Sequence, residues 1–356
     1  SVTRLPGGNL RIGIHIAVPA LGVAPGSAID AIARERLSTV YFPGGKITML
    51  PDAAIGAYTL SERKQCPVLS LYLDVTPELT ISARTTRVER VTITENLRHA
   101  ALEEVLNETT LAAGRIEHRY GDELATLWRF ARALEAARRG AGPEQEQRPE
   151  YNFYIENDRV RIVRRNRGTP IDRIVSELMI QANSAWGRDL AQNSVAAIYR
   201  VQDGGKVRMS TVPAGHEGLG VESYAWASSP LRRYVDLVNQ RQLIALARGE
   251  APPYQANDEA LLTAMRDFES TYEVYGEFQR QMERYWCLSW LIQENIQSVT
   301  ATVIRESLAR FDELPLVVRV PSLPALAAGT RVELALSDLD LLELTLRCEF
   351  RSELAP

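Results

Sequence analysis

Residues 224–241 read YAWASSPLRRYVDLVNQR, the most distinctive stretch of the chain. Ser228-Ser229-Pro230 puts a hydroxyl where a helix cap belongs and a proline where a first turn begins, which predicts a helix over 230–248. Arg232 and Arg233 then fall in that first turn. Backbone N–H groups, the positive end of the helix dipole and two guanidinium groups would all face one way, an arrangement suited to a phosphate. A capped helix carrying two solvated arginines fits the same residues.

Outward from this stretch, residues 171–190 read as a long helix. A short irregular piece at 203–205 leads to the glycine-containing segment 215–220. Downstream, 258–272 and 274–297 read as two more helices. After Gln297 the apolar period changes from helical to two, giving short strands at 298–304, 316–320, 331–336 and 342–350. This change predicts a domain boundary near Gln297, with a small β unit of barrel size after it. Upstream, 9–17 reads as a buried strand, 28–37 as a helix and 41–51, with its Pro-Gly-Gly, as a loop. Residues 69–74 and 81–91 read as antiparallel strands turning at Pro77. Helices are expected at 96–106 and 122–139, a connector at 140–149, and a hairpin over 151–163 that turns at Asn157-Asp158. The class is α+β.

Composition narrows the possibilities. The 356 residues are 45% hydrophobic and 24% charged, which excludes a disordered, collagen-like or disulfide-stapled chain. No apolar run approaches the ~18–20 residues of a membrane span, and no signal peptide is visible. Cys66, Cys287 and Cys348 are far apart and odd in number, which points to a reducing, cytoplasmic setting and away from a cysteine-built metal site. The net charge of -4 gives no global field for nucleic acid. Only Lys46, Lys64 and Lys206 are lysine; every other cation is arginine. GC-rich coding explains that bias, and so does selection for bidentate phosphate contacts.

Six segments occur in a recognisable order: HIAVP (15–19), PGSAID (25–30), VYFPGGKITMLP (40–51), RIVSELMIQAN (173–183), GHEGLG (215–220) and SSPLRRYVDLVNQR (228–241). In this order the chain resembles the catalytic RNB domain of the ribonuclease II / ribonuclease R family of exoribonucleases. GTRVELALSDLDLLELTL (329–346) is similar to the end of an S1-type OB-fold. The resemblance implies an RNB-type domain of mixed sheet and helices over 1–297, and a five-stranded OB-fold barrel over 298–356 that binds single-stranded RNA. It also implies processive 3′→5′ hydrolysis of single-stranded RNA to nucleoside monophosphates with Mg²⁺ or Mn²⁺, by two-metal chemistry. Arg232 corresponds to the family's phosphate-contacting arginine, and Glu283, in MERY, to a glutamate facing the scissile end; both are expected to be catalytic. Tyr41 corresponds to a tyrosine that stacks near the 3′-terminal base. Arg233, Glu177 and Ser229 are implied RNA contacts. By residue type alone, Glu283 also reads as a solvated helix glutamate and Tyr41 as a half-buried core tyrosine.

The departures from the family pattern concern chemistry. The family's metal ligands are aspartates in a D…D-I-D-D-A motif just before the strand leading to HIAD. That motif is expected upstream of Ser1, so no metal ligand is expected in this chain, and the chain alone is expected to be inactive. An associated N-terminal fragment carrying the aspartates would then be a partner. Asp338 and Asp340 read as solvated turn residues. Val18 stands for a frequent aspartate, Gln240 for a frequent histidine and Ser176 for a second glutamate. RNA-clamping aromatics are missing near Thr94 and Gln145, and the segment 203–214 is short. His15 reads as a core strand residue and His216 as a loop-ordering donor. Trp286, Cys287 and Trp290 read as core packing. A catalytically inactive RNA-binding scaffold, and an interaction module with a docking β unit, are the competing functions.

Overall fold

The computed structural model describes residues 1–139, 149–165 and 167–355. The first elements are β1 (Val2–Arg4), β2 (Leu10–Ala17), α1 (Ala28–Arg36), β3 (Val40–Phe42), β4 (Gly45–Ile47), α2 (Asp52–Tyr58), β5 (Gln65–Val75) and β6 (Ile81–Thr92). Next come α3 (His99–Val105), α4 (Glu108–Ala112), α5 (Gly121–Arg139), β7 (Glu150–Glu156), β8 (Arg159–Arg165), α6 (Pro170–Gln192), β9 (Tyr199–Asp203) and β10 (Lys206–Ser210). The chain closes with α7 (Tyr234–Arg248), α8 (Glu259–Gln293), β11 (Ser298–Arg305), β12 (Leu308–Phe311), β13 (Val317–Arg319), β14 (Arg331–Asp340) and β15 (Thr345–Glu353). Among the described residues no helix is long and apolar enough to cross a membrane.

Two compact units emerge. The first takes in the described parts of Ser1–Thr39, Thr48–Gln145 and Gly168–Tyr272. Its centre is an antiparallel sheet in the order β1-β2-β5-β6. Ile12, Ile14 and Ile16 of β2 and Leu69, Leu71, Leu73 and Val75 of β5 are buried in one cluster with Phe130 of α5, Trp186 of α6 and Leu243 of α7. Strands with this many buried apolar residues need cover, and the helices supply it. The edge strand β6 carries Arg84, Arg87, Glu89 and Arg90, charges that discourage further strand pairing. A buried ion pair joins α1 to α7: Asp30 accepts hydrogen bonds from Arg241 (2.6 Å) and from the Tyr234 hydroxyl (3.0 Å). The aspartate of PGSAID is therefore a structural anchor. Burial, with Asp30 beside it, pushes the Tyr234 hydroxyl far above its ordinary pKa.

The second unit takes in the described parts of Val40–Ile47, Glu146–Arg167 and Glu273–Pro356. Its sheet runs β13-β12-β11-β14-β15, all antiparallel, and curls as a half-barrel; among the described residues no ladder joins β13 to β15 to close it. Ala301, Val303, Phe311, Val332 and Leu334 form its core with Cys287, Leu288 and Leu291 of α8, and Phe153 and Ile162 of the β7–β8 hairpin pack against them. A cut at Gln297 passes through this core, because the sheet's apolar face is covered by residues that precede the cut.

Several expectations are revised. Segments 258–272 and 274–297 form one continuous helix, α8. The 41–51 loop contains the β3–β4 hairpin, and the 96–106 helix is the shorter α3, followed by a separate helix, α4, that starts at an Asn107 capping box. Strand β12 is additional to the strands expected after Gln297. The β7–β8 hairpin turns where expected: Asn157 and Asp158 both have positive φ (51° and 59°), the conformation of a two-residue primed turn. Of the connector expected at 140–149, residues 140–148 lie outside the described residues, as does Gln145.

Candidate functional site

In the first unit, the segment 228–233 is a turn and not a helix. The N–H groups of Arg232 and Arg233 both donate to the Ser229 carbonyl (3.1 Å each), and α7 begins only at Tyr234, with Arg233 as its extended N-cap residue (φ −138°). The helix dipole therefore does not start beneath the two arginines as the sequence predicts. The cause is Asp236, in the first turn of α7. Its Oδ1 accepts from the Ser229 N–H (2.7 Å) and from Arg233 Nη2 (2.7 Å), folding the preceding segment back over the helix end.

Two more buried amides hold this turn. Asn183 of α6 accepts from the Ala227 N–H (3.0 Å) and donates to Ser228 Oγ (3.0 Å). Gln240 donates to the carbonyls of Ala17 (2.9 Å) and Ala227 (3.3 Å), tying the end of β2 to the turn. Asn183, Asp236 and Gln240 are essentially inaccessible. Gln240 thus makes structural bonds in the place where the family often has histidine, and Val18 is an apolar core residue in the place of aspartate.

The two arginines have different surroundings. Arg232 is exposed; its carbonyl accepts from the Thr39 N–H (3.0 Å), and among the described residues its guanidinium has no acidic partner. Arg233 is buried, ion-paired to Asp236 (2.6 Å) and stacked on Trp226 at 3.8 Å from the ring centroid. Its guanidinium faces the interior, where it holds the turn.

Glu177 is also engaged. It is 5% exposed and bonds through both carboxylate oxygens to Arg138 at the end of α5. Arg138 also donates to the Leu219 carbonyl of the GHEGLG segment. A Cβ on Gly220 would lie 2.6 Å from the Arg138 carbonyl, and its φ is +64°, so glycine is required there twice over. Arg138 was not singled out by the sequence reading; an arginine near a helix end is ordinary, and only folding brings it to Glu177. The pair borders a cleft of about 950 Å³ whose wall includes Arg84, Gln181, Ser184 and Arg188.

In the second unit, Tyr41 lies on β3 opposite Lys46 and is 45% exposed. Its neighbour Phe42 packs edge-to-face on Phe278 of α8 (5.6 Å). Glu283 lies on α8, half-buried, and accepts from Gln279 Nε2 (3.0 Å). On the same helix Cys287 and Trp290 belong to the core of the C-terminal sheet.

His15 is half-buried and His216 is buried. His15 is hydrogen-bonded through Nδ1 to Ser70 Oγ (2.8 Å), and burial lowers its pKa to about 4. His216 lies edge-on to Tyr224; its backbone accepts from the Leu219 N–H and donates to the Val221 carbonyl, ordering the 216–221 turn. Burial first, and Arg200 second, depress its pKa.

Among the described residues, one group brings three metal-capable side chains together: His99, Glu103 and Asp172, with ligand atoms within 4.8 Å of one another. Both ring nitrogens of His99 are engaged, with Glu103 (3.0 Å) and Asp172 (2.8 Å). The other oxygen of Asp172 accepts from Thr169 Oγ1 (3.1 Å) at the start of α6. This network ties α3 to α6. It does not fit Mg²⁺, which demands oxygen ligands in near-octahedral array.

A family model described as "RNB domain" matches residues 1–208 and 204–249. The chain is 26% identical over 347 residues to an uncharacterized ribonuclease, sll1290, of Synechocystis sp., covering 89% of this chain and 50% of that protein. It is 27% identical over 359 residues to the chloroplastic/mitochondrial ribonuclease II of Arabidopsis thaliana, covering 89% of this chain and 42% of that protein. The chain thus spans about half the length of the curated relatives it matches. Among solved structures, RNase R of Mycoplasma genitalium superposes with a TM-score of 0.81 at 16% identity, over 98% of this chain and 68% of that one.

Proposed function

The chain belongs to the RNB-domain family of the ribonuclease II / ribonuclease R type, and from that premise we propose that it forms the RNA-binding and phosphate-positioning part of a 3′→5′ exoribonuclease. The observation that carries the reading is Arg232: an exposed guanidinium without an acidic partner, on a turn immobilised by Asn183, Asp236 and Gln240. A fixed cation of this kind can neutralise charge that builds on a phosphoryl group in the transition state without reorganising. Ser229 shares the turn and contributes by holding it. Arg233 and Glu177, both buried in ion pairs, act as positioning groups and not as direct phosphate contacts. Tyr41, exposed beside Lys46, offers a stacking face for a terminal base, and Glu283 is assigned the reacting end of the RNA. Residues 1–297 would supply the hydrolytic part and 298–356 the RNA-gripping part, with single-stranded RNA as substrate.

A divalent ion, Mg²⁺ or Mn²⁺, would supply water activation when bound. The described residues contain no carboxylate set fit for it, so the chain's own part is binding, orientation and charge neutralisation. The relatives' names support the activity: several are exoribonuclease 2 proteins. A second reading, an inactive RNA-binding scaffold on the same fold, is supported by the likeness of the chain to yeast Ssd1, described as a pseudonuclease (TM-score 0.70 at 17% identity).

The test uses a single-stranded oligoribonucleotide with Mg²⁺ or Mn²⁺, presented to the chain Ser1–Pro356 and to a form of it carrying the aspartates that the family places before HIAD. The chain should bind RNA with strong salt dependence and release no mononucleotides, while the aspartate-bearing form releases them from the 3′ end. Release by the chain alone would refute the ligand assignment. An aspartate-bearing form that binds RNA and releases nothing would establish the scaffold reading.

A further inference from the structure

A second arginine in the first unit lies on the same tryptophan as Arg233. Arg200 of β9 has its guanidinium 4.3 Å from the Trp226 ring centroid. Trp226 is itself braced by edge contacts with Phe268 (6.2 Å) and Tyr272 (6.0 Å). Arg233 has its charge balanced by Asp236. Arg200 has no such partner: among the described residues, no carboxylate or carbonyl accepts from its side chain. It is only partly exposed, and burial lowers its pKa. Close by is His216, 7% exposed, with Nδ1 bonded to nothing. The ring lies 5.8 Å from Tyr224, and the Tyr224 carbonyl accepts from the Arg200 backbone N–H (2.8 Å). A half-desolvated cation, lying over an aromatic face with its donors unused, is an incomplete arrangement. Cation–π contact satisfies the face of a guanidinium but none of its N–H groups.

We propose that Arg200, shelved on Trp226 beside His216, is an anion site that takes a phosphate group of the RNA. The chemistry favours phosphate: a planar fork of N–H donors, pre-oriented by stacking, matches two phosphate oxygens. The partly buried setting strengthens the contact relative to a solvated arginine. The site rests on the RNA reading above for the identity of its ligand, but not for its presence.

The test has two arms, both with the full chain. In the first, affinity for a single-stranded oligoribonucleotide is measured against NaCl concentration for the parent, Arg200→Gln and Arg200→Lys. One lost phosphate contact should lower the log–log salt slope by about 0.7. Arg200→Gln should show that decrease with about a tenfold loss of affinity. Arg200→Lys should keep the slope and lose severalfold in affinity, because a lysine retains charge without the fork. In the second arm, inorganic phosphate is titrated against tryptophan fluorescence, with Trp226→Phe identifying the reporter. A saturable change in the parent that Arg200→Gln abolishes supports the site. Parent-like affinity, salt slope and phosphate titration in Arg200→Gln would overturn it. A chain that binds phosphate through Arg200 but no RNA would refute the RNA reading and keep the anion site. If Arg200→Gln fails to fold by circular dichroism, Arg200→Lys decides: no loss of affinity in either arm overturns the fork.

Discussion

Arg232 and Arg233 are adjacent in sequence, yet one is exposed and the other is buried against Asp236 and Trp226. Their substitutions should therefore fail differently. In any form that hydrolyses RNA, Arg232→Ala should lower single-turnover hydrolysis by about 10²–10³, the usual loss of one transition-state donor, with a smaller loss of RNA affinity. Equal losses in both would make Arg232 a simple backbone anchor. Arg233→Ala should instead destabilise the fold by about 3–5 kcal/mol, since it leaves Asp236 charged and unpaired in the interior. Denaturant unfolding distinguishes the two. Arg138 and Glu177 make the same argument: Arg138→Met should be strongly destabilising, and the double variant Arg138→Met, Glu177→Gln should recover much of the loss. A double variant no better than the single would mean that the packing of Arg138, not its charge, matters.

At the scale of elements, the strands and turns of the first unit carry a pH dependence and a glycine requirement. His15 sits on β2 against β5, with its pKa lowered from 6.5 to about 4 by burial. The unfolded chain takes up that proton first, so the stability from burying neutral His15 is full above about pH 6.5 and is lost as the pH falls toward 4. Unfolding free energy measured across this window should fall with acid, and His15→Gln should flatten the slope. An unchanged slope would assign the acid sensitivity elsewhere. Gly220→Ala should cost more than the ordinary 1 kcal/mol or so of a glycine replaced at positive φ, because the added methyl meets a backbone carbonyl that has no freedom to rotate away.

For the whole molecule, the C-terminal sheet is not an independent appendage. Removing residues 298–356 uncovers Cys287, Leu288 and Leu291 on α8 and the apolar side of the β7–β8 hairpin. Uncovered surface of this kind costs roughly 25 cal/mol per Å². The shortened protein is expected to expose hydrophobic surface, measurable by dye binding, besides losing salt-sensitive RNA affinity. A shortened protein that stays monomeric and dye-free would show that the boundary at Gln297 is a real domain limit.

The sequence by itself determined the α+β class, the long helices, the β7–β8 turn and the order of the six motifs, because apolar period, proline and glycine act within a few residues of where they stand. It also singled out Arg232 as a candidate, through the resemblance that 228–241 carries. It did not determine where α7 begins, since a proline after two serines is compatible with a cap or with a turn, and Asp236 chose the turn. Nor could it separate Arg232 from Arg233, or join Arg138 to Glu177 across 39 positions, or show that Asp30 belongs to Arg241 across 211. Those assignments depend on which polar groups become buried together. Burial is a property of the packed chain, and local propensity does not contain it.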